Sequence, residues 1–309
     1  MKLGTGGSRG GRVLATAVLA AVATGSGIAL AGTSLPNEGD TQLGKSGGIT
    51  YRKDVEPMPS PFGISFDTGC GPQTRKVLGG GARGQGPAPA RNLSASLSTD
   101  SFLDPDSEPD DGWVGGGEGG DRLTVYAVCI SRGLGRLSYI HGDEVPDGPG
   151  ERVARVNCAG GAHAVGGGGL ATSSHADTHM GSTYPVDGGD RDRKPDDGWV
   201  FRAKDPLGTV AGSVVCRTGS GVVYKKAVRR GIRTGRAGAA TAKCPRGTSV
   251  VGGGGRVKGT IVNGRVTDTY PVDLRSDRNR VPDDGWRARS VNENGSGNRL
   301  TVHAICLKR

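Results

Sequence analysis

Alternation of apolar and polar positions is the clearest signal in this chain. Leu123, Val125, Ala127 and Cys129 alternate with Thr124, Tyr126 and Val128, and Leu300, Val302, Ala304 and Cys306 repeat the pattern against Thr301, His303 and Ile305. Between them, Val210, Val214 and Cys216 keep the same spacing, with Gly212 as the one gap. Period two with β-branched residues predicts half-buried strands whose cysteines point inward. Extended segments such as Arg152–Asn157 also lead into an earlier cysteine. No helical period stands out after the N-terminal segment, so the pattern predicts an all-β protein.

The pattern recurs. Pro-Asp-Asp-Gly-Trp stands at 109–113, 195–199 and 282–286, and its three tryptophans are the only ones present. Each lies inside a cysteine pair: Cys70 and Cys129, Cys158 and Cys216, Cys244 and Cys306. Tyr51, Tyr139 and Tyr224, each ending a short apolar strand start, precede the first cysteine of each pair at near-constant distance. These landmarks delimit three tandem antiparallel β modules of about 86 residues, 49–134, 135–220 and 221–309, with almost no linker. Such modules are either strung as beads or closed into a pseudo-threefold body, and the short connections favour the compact arrangement.

Six cysteines allow fifteen pairings. The repeat selects Cys70–Cys129, Cys158–Cys216 and Cys244–Cys306, one disulfide per module. A closed loop of roughly 60 residues stabilises a module by about 4 kcal/mol in the chain-entropy picture. A zinc site is the rival, but no module has paired Cys-x-x-Cys spacing. After the first cysteine an apolar pair runs into glycines: Gly79–Gly81, Gly166–Gly169 and Gly252–Gly255. That predicts a bulge or a close backbone crossing with no room for side chains. A phosphate-cradling loop would need a following Lys-Ser/Thr and a helix, and neither is present.

Composition narrows the class. Glycine is abundant at 58 residues and aromatics make up only 4%, which suits thin, turn-rich units with small cores stapled by cross-links. Residues 1–31 read as a signal peptide: Lys2, Arg9 and Arg12 precede an apolar stretch ending in Ala29-Leu30-Ala31. Residues 32–48 are polar and aperiodic, a flexible leader. The expected location is therefore extracellular, in solution or at the cell wall, without stable membrane insertion once the signal is removed. The formal net charge of +10 falls to +7 without residues 1–31. That is compatible with anionic envelope polymers, and nucleic acid is not an expected partner for a secreted chain.

Candidate chemistry is sparse. In Pro-Asp-Asp-Gly-Trp a tight turn feeds a strand that opens on tryptophan. The tryptophan is either the large residue of a small core, as large aromatics mostly are, or an exposed platform for a sugar ring. On the second reading Trp113, Trp199 and Trp286, with Asp111, Asp197 and Asp284 hydrogen-bonding hydroxyls, form three weak sites acting together. The aspartates before each turn resemble calcium ligands, but their spacing differs between modules and arginines intervene, so local ion pairs fit better. His175, Asp177 and His179 have a strand spacing that puts them on one face, and are weak metal candidates in one module only. His163 and His303 lack a consistent partner in sequence. Lys225, Lys226, Arg229, Arg230, Arg233 and Arg236 form a basic run in the third module, read as a solvated loop. No catalytic set recurs, and no cofactor is expected.

Cys-x-x-Gly-x-x-Val-x-Gly-Gly-Gly, an acidic turn with Gly-Trp, and Val-x-Ala-x-Cys together resemble the Cys-flanked, glycine-rich modules of secreted actinobacterial proteins such as those of streptomycetes. The resemblance covers residues 49–309 and is strongest at Cys244–Gly255. It implies export and a non-catalytic module. The chain also more distantly resembles the vitelline membrane outer layer protein family, whose three β repeats form a prism and which shares Cys-Pro-x-Gly, although that family's repeats are shorter. The function expected is non-catalytic binding of cell-envelope or environmental carbohydrate. The alternative is a structural or self-assembling surface protein with no ligand, and a metal-dependent hydrolase at His175, Asp177 and His179 is a remote third.

Overall fold

The computed structural model describes residues 41–58, 64–71, 75–86, 92–100, 108–131, 136–142, 144–146, 150–173, 177–188, 192–258, 264–275, 279–294 and 298–309. Residues 1–40, which carry the expected signal peptide and most of the leader, lie outside them.

The first repeat, with the segment before it, supplies β1 (Thr41–Ser46), β2 (Ile49–Pro57), β3 (Ile64–Gly69), β4 (Arg75–Gln85), β5 (Asn92–Thr99), β6 (Gly112–Glu118) and β7 (Arg122–Ser131). The second supplies β8 (Leu137–Gly142), β9 (Glu144–Pro146), β10 (Glu151–Asn157), β11 (His163–Ala171), β12 (His179–Val186), β13 (Gly198–Lys204) and β14 (Val210–Arg217). The third supplies β15 (Val222–Ile232), β16 (Ala237–Lys243), β17 (Thr248–Lys258), β18 (Gly264–Val272), β19 (Gly285–Asn292) and β20 (Asn298–Lys308). Among the described residues there is no helix. The all-β reading holds.

These strands build three antiparallel sheets, and no sheet belongs to one repeat. The first runs β1-β2-β7-β4-β18-β19-β16, the second β15-β20-β17-β12-β13-β10-β9, and the third β3-β6-β5-β11-β14-β8. Every repeat gives half of one sheet and half of the next. The halves join through short antiparallel contacts: β4 with β18 at Arg83↔Asp268, β17 with β12 at Arg256↔Ser182, and β11 with β5 at Leu170↔Ala95. The modules are therefore interlocked in a closed, pseudo-threefold body, not strung as beads. Residues 41–46 depart from the leader reading, because they pair with β2 as an edge strand. Backbone pairing at an edge needs no apolar pattern, so composition alone hid this strand.

The disulfides form as the repeat requires, Cys70–Cys129, Cys158–Cys216 and Cys244–Cys306. Cys70 follows β3 in the third sheet, whereas Cys129 lies on β7 in the first. By the same rule Cys158–Cys216 ties the second sheet to the third, and Cys244–Cys306 ties the first to the second. The three bridges thus close a ring of sheets.

The glycine runs explain how the ring closes. In each repeat the ladder slips by one residue at the head of the run, leaving Leu78, Val165 and Val251 as bulge residues. There β4, β11 and β17 meet at the centre of the molecule. A Cβ on Gly79, Gly166 or Gly252 would collide with the carbonyl oxygen of Val251, Leu78 or Val165 respectively, always in another repeat. One residue on, Gly80, Gly167 and Gly253 lie against the indoles of Trp113, Trp199 and Trp286. The run is packing geometry, a bulge and a close crossing together.

The tyrosines that open each repeat serve the same junction. Tyr51 Oη donates to Val250 O at 2.7 Å, Tyr139 Oη to Val77 O at 2.8 Å and Tyr224 Oη to Ala164 O at 2.8 Å. Each hydroxyl therefore satisfies a carbonyl beside the bulge of the preceding repeat, the first repeat serving the third. Burial pushes the Tyr51 and Tyr224 hydroxyls well above the usual phenol range, so they stay protonated donors. Tyr139→Phe orphans a carbonyl at that crossing and should destabilise the protein by about 1–2 kcal/mol. Urea unfolding of the purified variant checks this, and an unchanged midpoint would mean water replaces the hydroxyl.

Candidate functional site

The repeated turn motif is structural in all three copies. Trp113, Trp199 and Trp286 are 0%, 1% and 0% exposed. Their indole N–H groups donate to Ser96 Oγ at 3.0 Å, Thr183 Oγ1 at 2.8 Å and Thr269 Oγ1 at 2.8 Å. No ring face is left for a sugar, and the expected platform is corrected here. A strand that begins with tryptophan can turn that residue either way, and in each copy the facing glycine opens the space that draws it inward.

The neighbouring aspartates are also committed. Backbone carbonyls of Asp110, Asp196 and Asp283 accept from Val77, Ala164 and Val250, and those of Asp111, Asp197 and Asp284 accept from Cys70, Cys158 and Cys244. Asp197 Oδ2 accepts from Gly188 N and Asp284 Oδ2 from Leu274 N, both at 2.7 Å. The first, buried aspartate of each motif meets a different basic side chain: Lys76 for Asp110, His163 for Asp196 at 2.9 Å, and Arg309 for Asp283 at 2.5 Å. His163 thus has a carboxylate partner, 33 residues away, that local spacing did not reveal. Burial raises the Asp196 carboxyl above its ordinary value while the hydrogen bond from His163 opposes that shift.

His179 and Asp177 are not brought to one face. The His179 ring is buried and contacts the Asp177 backbone oxygen at 3.0 Å, while the exposed Asp177 side chain pairs with Lys204 at 3.4 Å. His175 lies outside the described residues, as do Asp104, Asp106, Asp190 and Asp277 among the aspartates. Among the described residues no three His, Cys, Asp or Glu side chains are grouped to hold a metal. Most of the basic run, expected as a loop, lies in the edge strand β15, and Lys225, Lys226, Arg229 and Arg230 line an edge that would otherwise invite strand pairing.

Chemistry that sequence spacing did not assemble lies where half-sheets from different repeats join. On the first sheet Tyr126 of β7 stacks on Tyr270 of β18, with centroids 5.4 Å apart and planes 17° from parallel. Arg83 of β4 lies over the Tyr270 ring, its Cζ 5.3 Å from the centroid, and hydrogen-bonds the Tyr126 hydroxyl. Arg83, Asp268, Tyr270, Arg287 and Arg289 line a cleft of about 170 Å³ whose exposed surface is almost wholly polar. Asp268 is buried and accepts from Thr267 Oγ1 at 3.1 Å.

The second sheet repeats the arrangement with one change. Tyr184 of β12 faces His303 of β20 at 6.3 Å, and Arg256 of β17 stands 5.0 Å over the Tyr184 ring. A cleft of about 340 Å³ adjoins them, with Arg155, Pro185, Asp187 and Pro195 in its wall and a more balanced polar and apolar surface. Arg256 follows its glycine run as Arg83 does, and His303 takes the place of Tyr126. The third sheet has lost the group: Leu170, Ser213 and Leu97 occupy the matching positions. Arginine after two of the glycine runs, and the Tyr-Pro-Val-Asp string at Tyr184 and Tyr270, were the available sequence signals. Neither shows that the two meet across repeats.

Burial pushes the His303 imidazole down to about 4, with Arg256 and Lys226 adding to the shift. The unfolded chain takes up this proton near pH 6.5, before the folded protein does. Stability is therefore complete above roughly pH 6.5 and is lost as pH falls toward about 4, by at most ~1.4 kcal/mol per pH unit. His303→Tyr, which copies the first repeat, should flatten that limb of a plot of Tm against pH. A limb of unchanged slope would assign it to other groups.

No protein-family model matches the chain, and no curated protein sequence matches it either.

Proposed function

We propose that the protein is a secreted, non-catalytic glycan-binding protein whose sites are the two aromatic–guanidinium clefts, not the tryptophan turns. The observation that carries this reading is the recurrence of one arrangement, tyrosine, second ring and arginine beside a cleft, on two of three equivalent sheets, with Tyr126 and Tyr184 themselves largely covered. Core packing needs the tryptophans, glycines and opening tyrosines in all three repeats, and it keeps all three. The cleft residues are kept in two only, so the scaffold does not depend on them. Forked guanidinium donors beside an aromatic edge and proline walls suit hydroxyl- and acid-bearing sugars. Three disulfides fit an oxidising, extracellular setting. The proposal of no catalysis draws support from the recurring aspartates, whose groups are engaged by backbone amides and cations within the fold.

Retention of the oxidised chain on an immobilised panel of cell-envelope glycans tests this. Binding to at least one member, weakened by Arg256→Ala or Arg287→Ala, is the expected result. Binding that ignores both substitutions would remove the clefts as sites. No retention on any glycan would put forward a second reading, a structural surface protein, which the complete burial of all three tryptophans favours.

A further inference from the structure

We infer that the ligand of these clefts is an acidic polysaccharide, engaged through its carboxylate or sulfate groups; this rests on the glycan reading above. The first cleft presents Arg83, Arg287 and Arg289 around a single carboxylate, that of Asp268. Asp268 is buried and already accepts a hydrogen bond from Thr267. Among the described residues neither Arg287 nor Arg289 has a carboxylate ion-pair partner, and Arg287 is exposed. A surplus of guanidinium in a cleft with little apolar surface recognises a planar oxyanion by paired N–H donors, and offers a neutral sugar ring little to stack on.

The register extends the same charge along both faces. On the first sheet Lys53 pairs with Tyr126, Tyr126 with Gly81, and beyond the junction Tyr270 pairs with Arg287. On the second, Lys226 pairs with His303, His303 with Gly254, and Tyr184 leads through Val200 to Arg155. The first row therefore runs cation, ring, glycine, ring and cation across the sheet, and the second has the same order with Val200 between its last ring and Arg155. Adjacent strands lie about 4.8 Å apart, so the end cations are roughly 19 Å from each other on the first sheet and roughly 24 Å on the second. A chain carrying an anion at successive sugars would meet both. The third face runs from Asp67 through Val114 and Leu97 to Ser213 and His141, with a carboxylate at one end. It would repel the same polymer.

The test uses the oxidised full chain in biolayer interferometry against immobilised polygalacturonate, dextran sulfate, neutral dextran and single-stranded DNA. Binding to one or both acidic polysaccharides, falling steeply as salt is raised, is expected; which of the two is held decides between carboxylate and sulfate. Arg287→Ala with Arg289→Ala, and separately Arg155→Ala with Arg256→Ala, should each weaken it about tenfold or more. Arg229→Ala with Arg230→Ala removes equal charge from β15 and should change it less than about twofold. Loss confined to the β15 pair would overturn the assignment to the clefts. Equal binding to neutral dextran would overturn the acidic ligand while leaving glycan binding intact. Binding to DNA alone, or tighter binding to DNA through the same arginines, would overturn it in favour of nucleic acid. Binding to no polysaccharide at all would remove the glycan reading itself.

Discussion

Gly166→Ala is expected to prevent folding of the entire chain, not of the second repeat alone. The added methyl would have to occupy the space of the Leu78 carbonyl oxygen, with the Gly79 Cα 2.9 Å away. Both belong to backbone, so no side-chain rotation relieves the overlap. Leu78 itself lies at the bulge where β4 crosses, and moving it breaks the ladder to β7 and disturbs the carbonyl that Tyr139 caps. Clashes of this kind fall in the rare class costing more than about 4 kcal/mol, against a total stability of roughly 5–15 kcal/mol. Far-ultraviolet circular dichroism and gel filtration after oxidative refolding would show an expanded, aggregating chain. A variant that elutes as a compact monomer and melts near the parent would mean the three central strands do not touch.

Removing one disulfide should weaken all three repeats together. Cys158→Ala with Cys216→Ala cuts the link between the second and third sheets and opens a loop spanning 58 residues. The chain-entropy estimate is about 4 kcal/mol. For a body of this size that lowers Tm by about 8–16 °C. Because β10, β11, β13 and β14 pair into sheets shared with the other two repeats, calorimetry should show a single, shifted transition. Beads would behave differently: one third of the heat would move and the rest would stay. Two resolved transitions would contradict the interlocked ring.

Sequence carried the scaffold further than the site. Cys129, Cys216 and Cys306 end strands whose alternation is local, so their inward direction and pairing could be read directly. The offset of Gly79, Gly166 and Gly252 from the cysteines likewise announced a crossing. What it did not contain was the partner, since each glycine meets a carbonyl from another repeat. Joining of half-sheets rests on contacts as brief as Arg83↔Asp268 and Thr269↔Ala82, too short to leave a pattern. The clefts were hidden for the same reason: Arg83 and Tyr126 belong to one repeat, Asp268, Tyr270 and Arg287 to another. Trp113, Trp199 and Trp286 drew attention as repeated aromatics, yet repetition in all three copies fits a core requirement, whereas the binding chemistry is kept in only two.

That difference between three and two is directly measurable. Isothermal titration calorimetry of the oxidised protein with a short oligogalacturonide, or its sulfated counterpart if that is the polymer held, gives the number of sites per chain. Two sites are predicted, one on each of the first two sheets, and Arg287→Ala with Arg289→Ala should reduce the count to one. Three equal sites surviving that change would place binding on features common to every repeat and contradict the clefts. An absence of heat with every oligosaccharide would contradict a binding role altogether.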